Sequence, residues 1–348
     1  MRVSKVFLAG VLTIISLVSF GQDHHFSQFY ATPLSANPAN TGNFAEDWRF
    51  SAIHRNQWSG INSSFISTAV GFDMNFSGGF IGQDKMGVGV VFLKDALGEG
   101  VLSNNTFLLS TAWHRRIDHQ KRHKLSLGIQ GGMIQKSLSA NGLQFGNQYE
   151  YYQYNPNLSN EENLSRLNQN YIDLEMGLGW HFLLSSKVEL ESGVAVYQLT
   201  TPQENFTETV DSLFKPNDLG SRLSYQAGVI YKIGNGITIN PRLLYMGQSR
   251  ASDFNVGASV GYTIGKAQDV TLLGGIYTRI GDAAIFKIGC KYKNVTTRFS
   301  YDATYSSLKE AKGAVGAGNS LGAWELSIIV VGRFRGADQN YTVPCGIF

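Results

Sequence analysis

From about residue 48 onward, apolar and polar side chains alternate almost one by one. Between Phe65 and Phe76, Ile66, Val70, Phe72, Met74 and Phe76 share one face, and Ser67, Ala69, Gly71, Asp73 and Asn75 share the other. A period of two is the signature of a strand, because successive side chains leave a pleated backbone on opposite sides. The same alternation sets Ile172, Leu174, Met176, Leu178, Trp180 and Phe182 against Asp173, Glu175, Gly177, Gly179 and His181. It returns with Phe254, Val256, Ala258, Val260, Tyr262 and Ile264 opposite Asn255, Gly257, Ser259, Gly261 and Thr263, and with Phe286, Ile288, Cys290 and Tyr292 opposite Lys287, Gly289, Lys291 and Lys293. Runs of this kind predict strands over 48–58, 65–76, 86–95, 105–116, 123–136, 171–183, 187–198, 221–233, 236–246, 254–264, 268–279, 283–293, 295–304 and 322–334, fourteen in all. The first, third and eleventh separate their two faces least.

Strand length narrows the fold class. Sandwich strands average about 5 to 6 residues, whereas a tilted strand crossing a bilayer needs about 9 to 11. The predicted strands are of the longer kind and even in number, which points to an all-β, transmembrane antiparallel β-barrel. After residue 22 no stretch approaches the roughly 18 consecutive apolar residues of a helical span. The connections agree with a barrel that has short turns on one side and long loops on the other. If the barrel begins in the periplasm, the long connections 137–170, 199–220 and 305–321 all fall outside. The connections 117–122, 184–186, 234–235, 265–267 and Asn294 then fall inside and are compact, with 77–86 the longest of that set. Apolar faces turn to lipid and polar faces to a lumen wide enough to hold either water or a plug.

The termini complete the division of the chain. Met1 to Gly21 carries Arg2 and Lys5, an apolar stretch from Val6 to Val18, and Ser19 and Gly21 at positions −3 and −1 of a cleavage site. This is the layout of a cleaved signal peptide, with the mature chain expected to start at Gln22. Residues 22–47 form an N-terminal segment, 48–334 the barrel and 335–348 a C-terminal tail. Within the N-terminal segment, Phe26, Ser27, Gln28, Phe29 and Tyr30, followed by Asn37, Pro38 and Gly42, are expected to serve as plug or as periplasmic contact. Ordering an apolar, aromatic stretch there buries surface that a solvated tail would expose.

Composition removes several functions. With 29 basic against 26 acidic residues the formal charge is only +3, too balanced for a dedicated nucleic-acid binder. Glycine, at 39 of 348 residues, exceeds the usual share of about 7 %. Charged residues, at 16 %, fall below the usual 25 % or so. Cys290 lies inside a strand pattern and Cys345 in the tail, and both are read as unpaired thiols. Two Gly-x-Ser-x-Gly matches, Gly257 to Gly261 and Gly318 to Gly322, lack the strand-turn-helix setting of a nucleophile elbow. His114, His119 and His123 lie in a basic run that reads as a solvated turn suited to lipid headgroups, because no Cys or carboxylate cluster completes a metal site. No phosphate-binding glycine loop is present. Catalytic residues, cofactors and metals are therefore not expected. In the outer loop 137–170, Tyr149, Tyr151, Tyr152 and Tyr154 form an aromatic cluster of the kind enriched where proteins meet. Tyrosines of the lipid interface are the competing explanation.

The opening of the mature chain, Gln22-Asp-His-His-Phe-Ser-Gln-Phe-Tyr30 followed by Asn37-Pro-Ala-Asn-Thr-Gly42, resembles that of the PorP/SprF family of type IX secretion membrane proteins. Arg55-Asn-Gln-Trp58, Phe72-Asp73, Pro202-Gln203, Asn240-Pro241 and Ser300-Tyr-Asp302 follow in the family's order, so the resemblance covers essentially the whole mature chain. The terminus departs from it: Val343-Pro-Cys-Gly-Ile-Phe348 stands where members often end in a Cys-Pro-Arg-Phe-like tail. The resemblance implies an outer-membrane barrel of the Bacteroidota that supports export or surface anchoring of a specific cargo bearing a type IX C-terminal signal domain, often a gliding adhesin, without catalysis. It further implies contact with the periplasmic ring or peptidoglycan-associated components of the machinery. From the residues alone the competing reading is a passive porin, since Arg298, Asp302, Glu175 and Lys287 would suit a water-filled pore.

Overall fold

A computed structural model describes residues 25–58, 64–77, 84–98, 101–139, 145–150, 153–159, 167–204, 217–218, 220–249, 251–265, 269–306 and 322–334. Fourteen antiparallel strands close into a barrel. They are β1 (Trp48–Gln57), β2 (Phe65–Ser77), β3 (Lys85–Leu97), β4 (Leu102–Arg116), β5 (His123–Leu138), β6 (Asn168–Leu183), β7 (Val188–Tyr197), β8 (Arg222–Gly234), β9 (Ile237–Gln248), β10 (Ala251–Ile264), β11 (Val270–Arg279), β12 (Ala283–Tyr292), β13 (Val295–Thr304) and β14 (Ala323–Gly332). Each strand pairs with its neighbours in sequence, and β1 closes the ring against β14 over the register Trp48↔Gly332 to Gln57↔Ala323. Closure leaves no row of unpaired backbone N–H and C=O groups, the condition a sheet must meet inside a bilayer.

All fourteen predicted strands are present, but several extend further at the long-connection end than the alternation of their faces suggests. β4 starts at Leu102 rather than 105, β6 at Asn168 rather than 171, β10 at Ala251 rather than 254, and β5 runs on to Leu138. The added residues, Asn104, Asn168 and Gln169 among them, lie at the long-connection end and are mostly polar on both faces. Backbone ladders continue there past the point where lipid demands a hydrophobic contrast. In the long connections, Tyr149–Glu150 pairs with Gln153–Tyr154, and Gln203–Glu204 with Asn217–Asp218.

The outward face is the apolar one. Ile172 and Ile288 are 67 % and 66 % exposed, values that fit side chains meeting hydrocarbon rather than water. At the short-connection end the outward positions turn aromatic, with Trp113, Trp180, Phe182, Tyr231, Tyr262 and Tyr292. One of the turns there, Asn235-Gly236, has positive φ at both residues, 52° and 76°. That geometry matches the twist of two-residue hairpins, and it selects Asn-Gly.

Inside, the barrel is packed. Residues 25–47 precede β1 and fold back into the lumen as a 3-10 turn at Phe29–Ala31, one helical turn at Pro33–Ala36 and a second 3-10 turn at Pro38–Asn40. The apolar core lies between this segment and the inner wall. Phe26 and Ala31 meet Ile53, Ala69, Leu93 and Ile329; Phe29 and Tyr30 meet Leu244, Tyr277 and Ile285; Leu34 meets Val91 and Leu108.

Candidate functional site

The segment enters at the short-connection end, where Asp47 accepts the backbone N–H of Asn75, and it climbs the lumen toward the other end. Its proline-rich middle explains its shape. Pro33 and Pro38 occupy the first positions of two short helical turns, where a missing N–H costs nothing and the fixed φ suits the turn. Asn37 caps the second turn, its Oδ1 accepting from Ala39 N at 2.8 Å. The same side chain donates from Nδ2 to two carbonyls of the barrel wall, Leu178 O at 3.1 Å and Val194 O at 3.3 Å. One amide thus shapes the segment and fastens it to β6 and β7.

The wall makes room by omitting side chains. A Cβ on Gly128 would collide with the Pro38 backbone, on Gly177 with Asn37 Oδ1, and on Gly87 with Thr41 O. Inward glycines are therefore the seat of Asn37 to Gly42, and they account for part of the glycine excess. Gly42 itself has φ of +68°, and its N–H donates to Asp73 Oδ2 at 2.7 Å. Asp73 also receives Arg49, through Nε at 2.9 Å and Nη2 at 2.6 Å, with both side chains 1 % exposed. Arg49 Nη2 reaches on to Asn40 O at 3.0 Å, and its guanidinium lies 4.6 Å from the Phe44 ring. A bidentate geometry with the remaining donors and acceptors filled is what lets a charge pair tolerate loss of water.

At the long-connection end, charged wall residues close on Ser27 and Gln28. The two carboxylate oxygens of Glu325 accept the backbone N–H groups of Ser27 and Gln28 at 2.7 and 2.9 Å. Ser27 Oγ donates to Asp302 and accepts from Arg55 at 3.0 Å and Arg279 at 2.7 Å, so its one donor and two acceptor sites are all used. Lys287 Nζ donates to Ser27 O at 2.6 Å. Gln28 donates to Ser300 Oγ at 3.0 Å and accepts from Ser327 Oγ at 2.7 Å. Arg55 bridges Asp302 and Glu325, and Arg279 reaches Asp302, Asp253 and Asp282.

All eight N-terminal residues singled out from the sequence, Phe26, Ser27, Gln28, Phe29, Tyr30, Asn37, Pro38 and Gly42, are thus buried within the lumen. Tyr149 and Tyr154 stand at the long-connection end, 48 % and 37 % exposed, their rings 5.7 Å apart across the small ladder. Tyr151, Tyr152, Cys345, Ser320 and the expected signal peptide lie outside the described residues. The lumenal charges credited to an open pore have other duties: Asp302 and Lys287 hold Ser27, and Glu175 accepts Gln130 Nε2 at 2.9 Å.

The reading of His114 as part of a solvated turn needs correction. Its ring is 3 % exposed, with Nε2 donating to Thr41 O and Nδ1 accepting from Ser126 Oγ, each at 2.7 Å. It sits on the inward face of β4, where the plug covers it, while His119 stays exposed in the turn. His123 stacks on Phe182 with ring centroids 4.2 Å apart. Ser259, from the first elbow-like match, is mid-strand on β10 with its Oγ 3.1 Å from the Tyr277 hydroxyl.

Beside the plug a cavity of about 90 Å³ remains, bordered by Pro33, Asn40 and Asn43 and by His181, Glu191 and Arg242 of the wall. Glu191 holds Arg242 at 3.1 Å and His181 at 3.2 Å.

The family model described as type IX secretion system membrane protein PorP/SprF matches residues 18–329. No curated protein matches the chain. Among solved structures the chain is similar to a FadL homologue of Pseudomonas aeruginosa, with 9 % identity and a TM-score of 0.50, over 86 % of this chain and 94 % of that one. It is similar to the deltaS2 mutant of the TodX monoaromatic hydrocarbon channel, with 8 % identity and a TM-score of 0.50, over 88 % and 94 % of the two chains. The Ralstonia pickettii toluene transporter TbuX follows at 10 % identity and a TM-score of 0.47, over 88 % and 94 %. Identities this low speak to the fold alone.

Proposed function

The chain belongs to the PorP/SprF family of type IX secretion system membrane proteins, barrels of the bacterial outer membrane, and from that premise we propose a non-catalytic accessory that binds and positions one specific cargo protein. The cargo would carry a type IX C-terminal signal domain, and the barrel would support its export or its anchoring at the surface. The observation that carries this reading is the occupied lumen. A segment fixed to opposite ends of the barrel by paired charges leaves a closed body, suited to holding a partner on its rim rather than to passing solutes. The rim at the long-connection end offers Tyr149 and Tyr154 to a cargo, and the short-connection end faces the periplasmic ring and peptidoglycan-associated components of the machinery. Catalysis has no part in it: Ser259, in the first elbow-like match, lies within a strand.

A second reading, a passive pore for small solutes, draws on the likeness to a hydrocarbon channel and on the 90 Å³ cavity. Quantitative comparison of the cell-surface and culture-fluid proteomes with and without this gene separates the two. The accessory role predicts that one or a few proteins with type IX signal domains leave the surface. An unchanged surface proteome with altered solute uptake would establish the pore instead. Tyr149→Ser combined with Tyr154→Ser should reduce cargo capture at normal barrel levels, and unchanged capture would remove those tyrosines from the contact.

A further inference from the structure

Arg298 stands out among the inward-facing charges. It points into the lumen from β13, is 4 % exposed, and neither of its terminal nitrogens has a hydrogen-bond partner. Among the described residues no ion pair reaches it, whereas Arg49, Arg55, Arg242 and Arg279 each have a carboxylate within 3.5 Å. A guanidinium removed from water without a counter-charge is strongly unfavourable. Its one compensation is the Tyr30 ring, 5.0 Å from the guanidinium carbon. A ring face attracts a cation but cannot accept the in-plane N–H groups.

The guanidinium borders a cavity of about 20 Å³ between the plug and strands β9 to β13. Tyr30, Thr238, Asn240, Ser259, Lys287 and Arg298 contribute the polar lining. Asn240 Nδ2 is a second donor without a partner, because Oδ1 of the same amide is engaged by Arg242 Nε at 2.8 Å. Among the described residues no carboxylate lines the space. Two cations, an unused amide donor and three hydroxyls therefore face a volume of one or two water molecules. Water would satisfy the donors and leave the charge uncompensated.

We propose that this cavity binds a single small inorganic anion of the halide class, coordinated by Arg298 and Asn240 and attracted by Lys287. A space of about 20 Å³ favours a monatomic anion over phosphate or a larger organic carboxylate. Tyr30 forms one wall of the site, and Lys287, which also holds Ser27 O, another, so the anion ties the plug to the barrel wall. Any ligand that binds this arrangement alone stabilises it in proportion to its occupancy. The site does not depend on which cargo the barrel serves.

The test uses the purified full chain in detergent. Crystals soaked in sodium bromide should show an anomalous peak in the cavity within hydrogen-bond reach of the Arg298 guanidinium. Thermal midpoints should be several degrees higher in sodium bromide than in sodium gluconate at equal ionic strength. That difference should vanish in Arg298→Met, which keeps the stem and removes the charge, and persist in Arg116→Met on the exposed rim. Asn240→Asp, which places a carboxylate in the cavity, should also make stability independent of the anion, and it decides the matter if Arg298→Met does not fold. An empty or water-filled cavity in the bromide crystals would overturn the proposal, as would equal midpoints in the two salts or an anion dependence that survives both substitutions.

Discussion

The two ends of the plug are held by different physics. Near the short-connection end, one buried pair, Arg49 with Asp73, organises Asn40 to Gly42, and glycines at 87, 128 and 177 supply the space. Near the long-connection end, Ser27 and Gln28 sit in a network of Arg55, Arg279, Lys287, Asp302, Glu325 and the serines at 300 and 327. A lone pair fails when either member goes, because its partner is left charged and buried; a network redistributes. The seat at the first end is further limited by steric fit, which tolerates no added atoms.

These differences rank the consequences of substitution. The largest should follow from Gly128→Leu together with Gly177→Leu, which fills the seat of Pro38 and Asn37 and should force the plug out of the lumen. Limited proteolysis would then cleave within 25–47, where the native chain resists. Next comes Asp73→Asn, which strands Arg49 and should cost roughly 3–5 kcal/mol in the thermal stability of the detergent-solubilised barrel. Glu325→Gln should cost less, about 2 kcal/mol, since Arg55 keeps Asp302. If the two losses proved equal, or their order reversed, the contrast between lone pair and network would be wrong. Tyr197→Phe, which removes a donor to Ala36 O, should cost about 1 kcal/mol. Ile288→Leu on the lipid face should leave the melting midpoint within error, because hydrocarbon asks only for apolarity there.

Strand count and closure were legible because lipid imposes a sharp contrast on outward positions such as Ile172, Leu178 and Ile288. The three strands whose faces separate poorly prove informative in retrospect. β1, β3 and β11 each carry inward apolar residues, Ile53, Val91 with Leu93, and Tyr277, and all of these pack against the plug. Inward apolar residues of this kind blur the contrast of faces, although Leu108, Leu244, Ile285 and Ile329 meet the plug from strands whose alternation is clear. The plug's own residues could be nominated from their apolar, aromatic and proline-rich character. Their partners could not, since Ser27 meets Glu325 and Asp302 across 298 and 275 residues of sequence. Nor does the sequence distinguish a glycine that seats a turn, such as Gly177, from one that merely faces the lumen, such as Gly179, whose Cβ would meet ordinary contacts. His114 was misplaced for a related reason: it opens a basic run that leads into a turn, yet the parity of β4 turns it inward under Thr41.

The central claim, that residues 25–47 close the lumen, is most directly tested by single-channel recording in planar bilayers of the full chain and of a variant lacking residues 25–42. The full chain should be electrically silent, and the deletion variant should conduct steadily through a fourteen-stranded barrel. Steady conductance of the same size from both proteins would contradict the account.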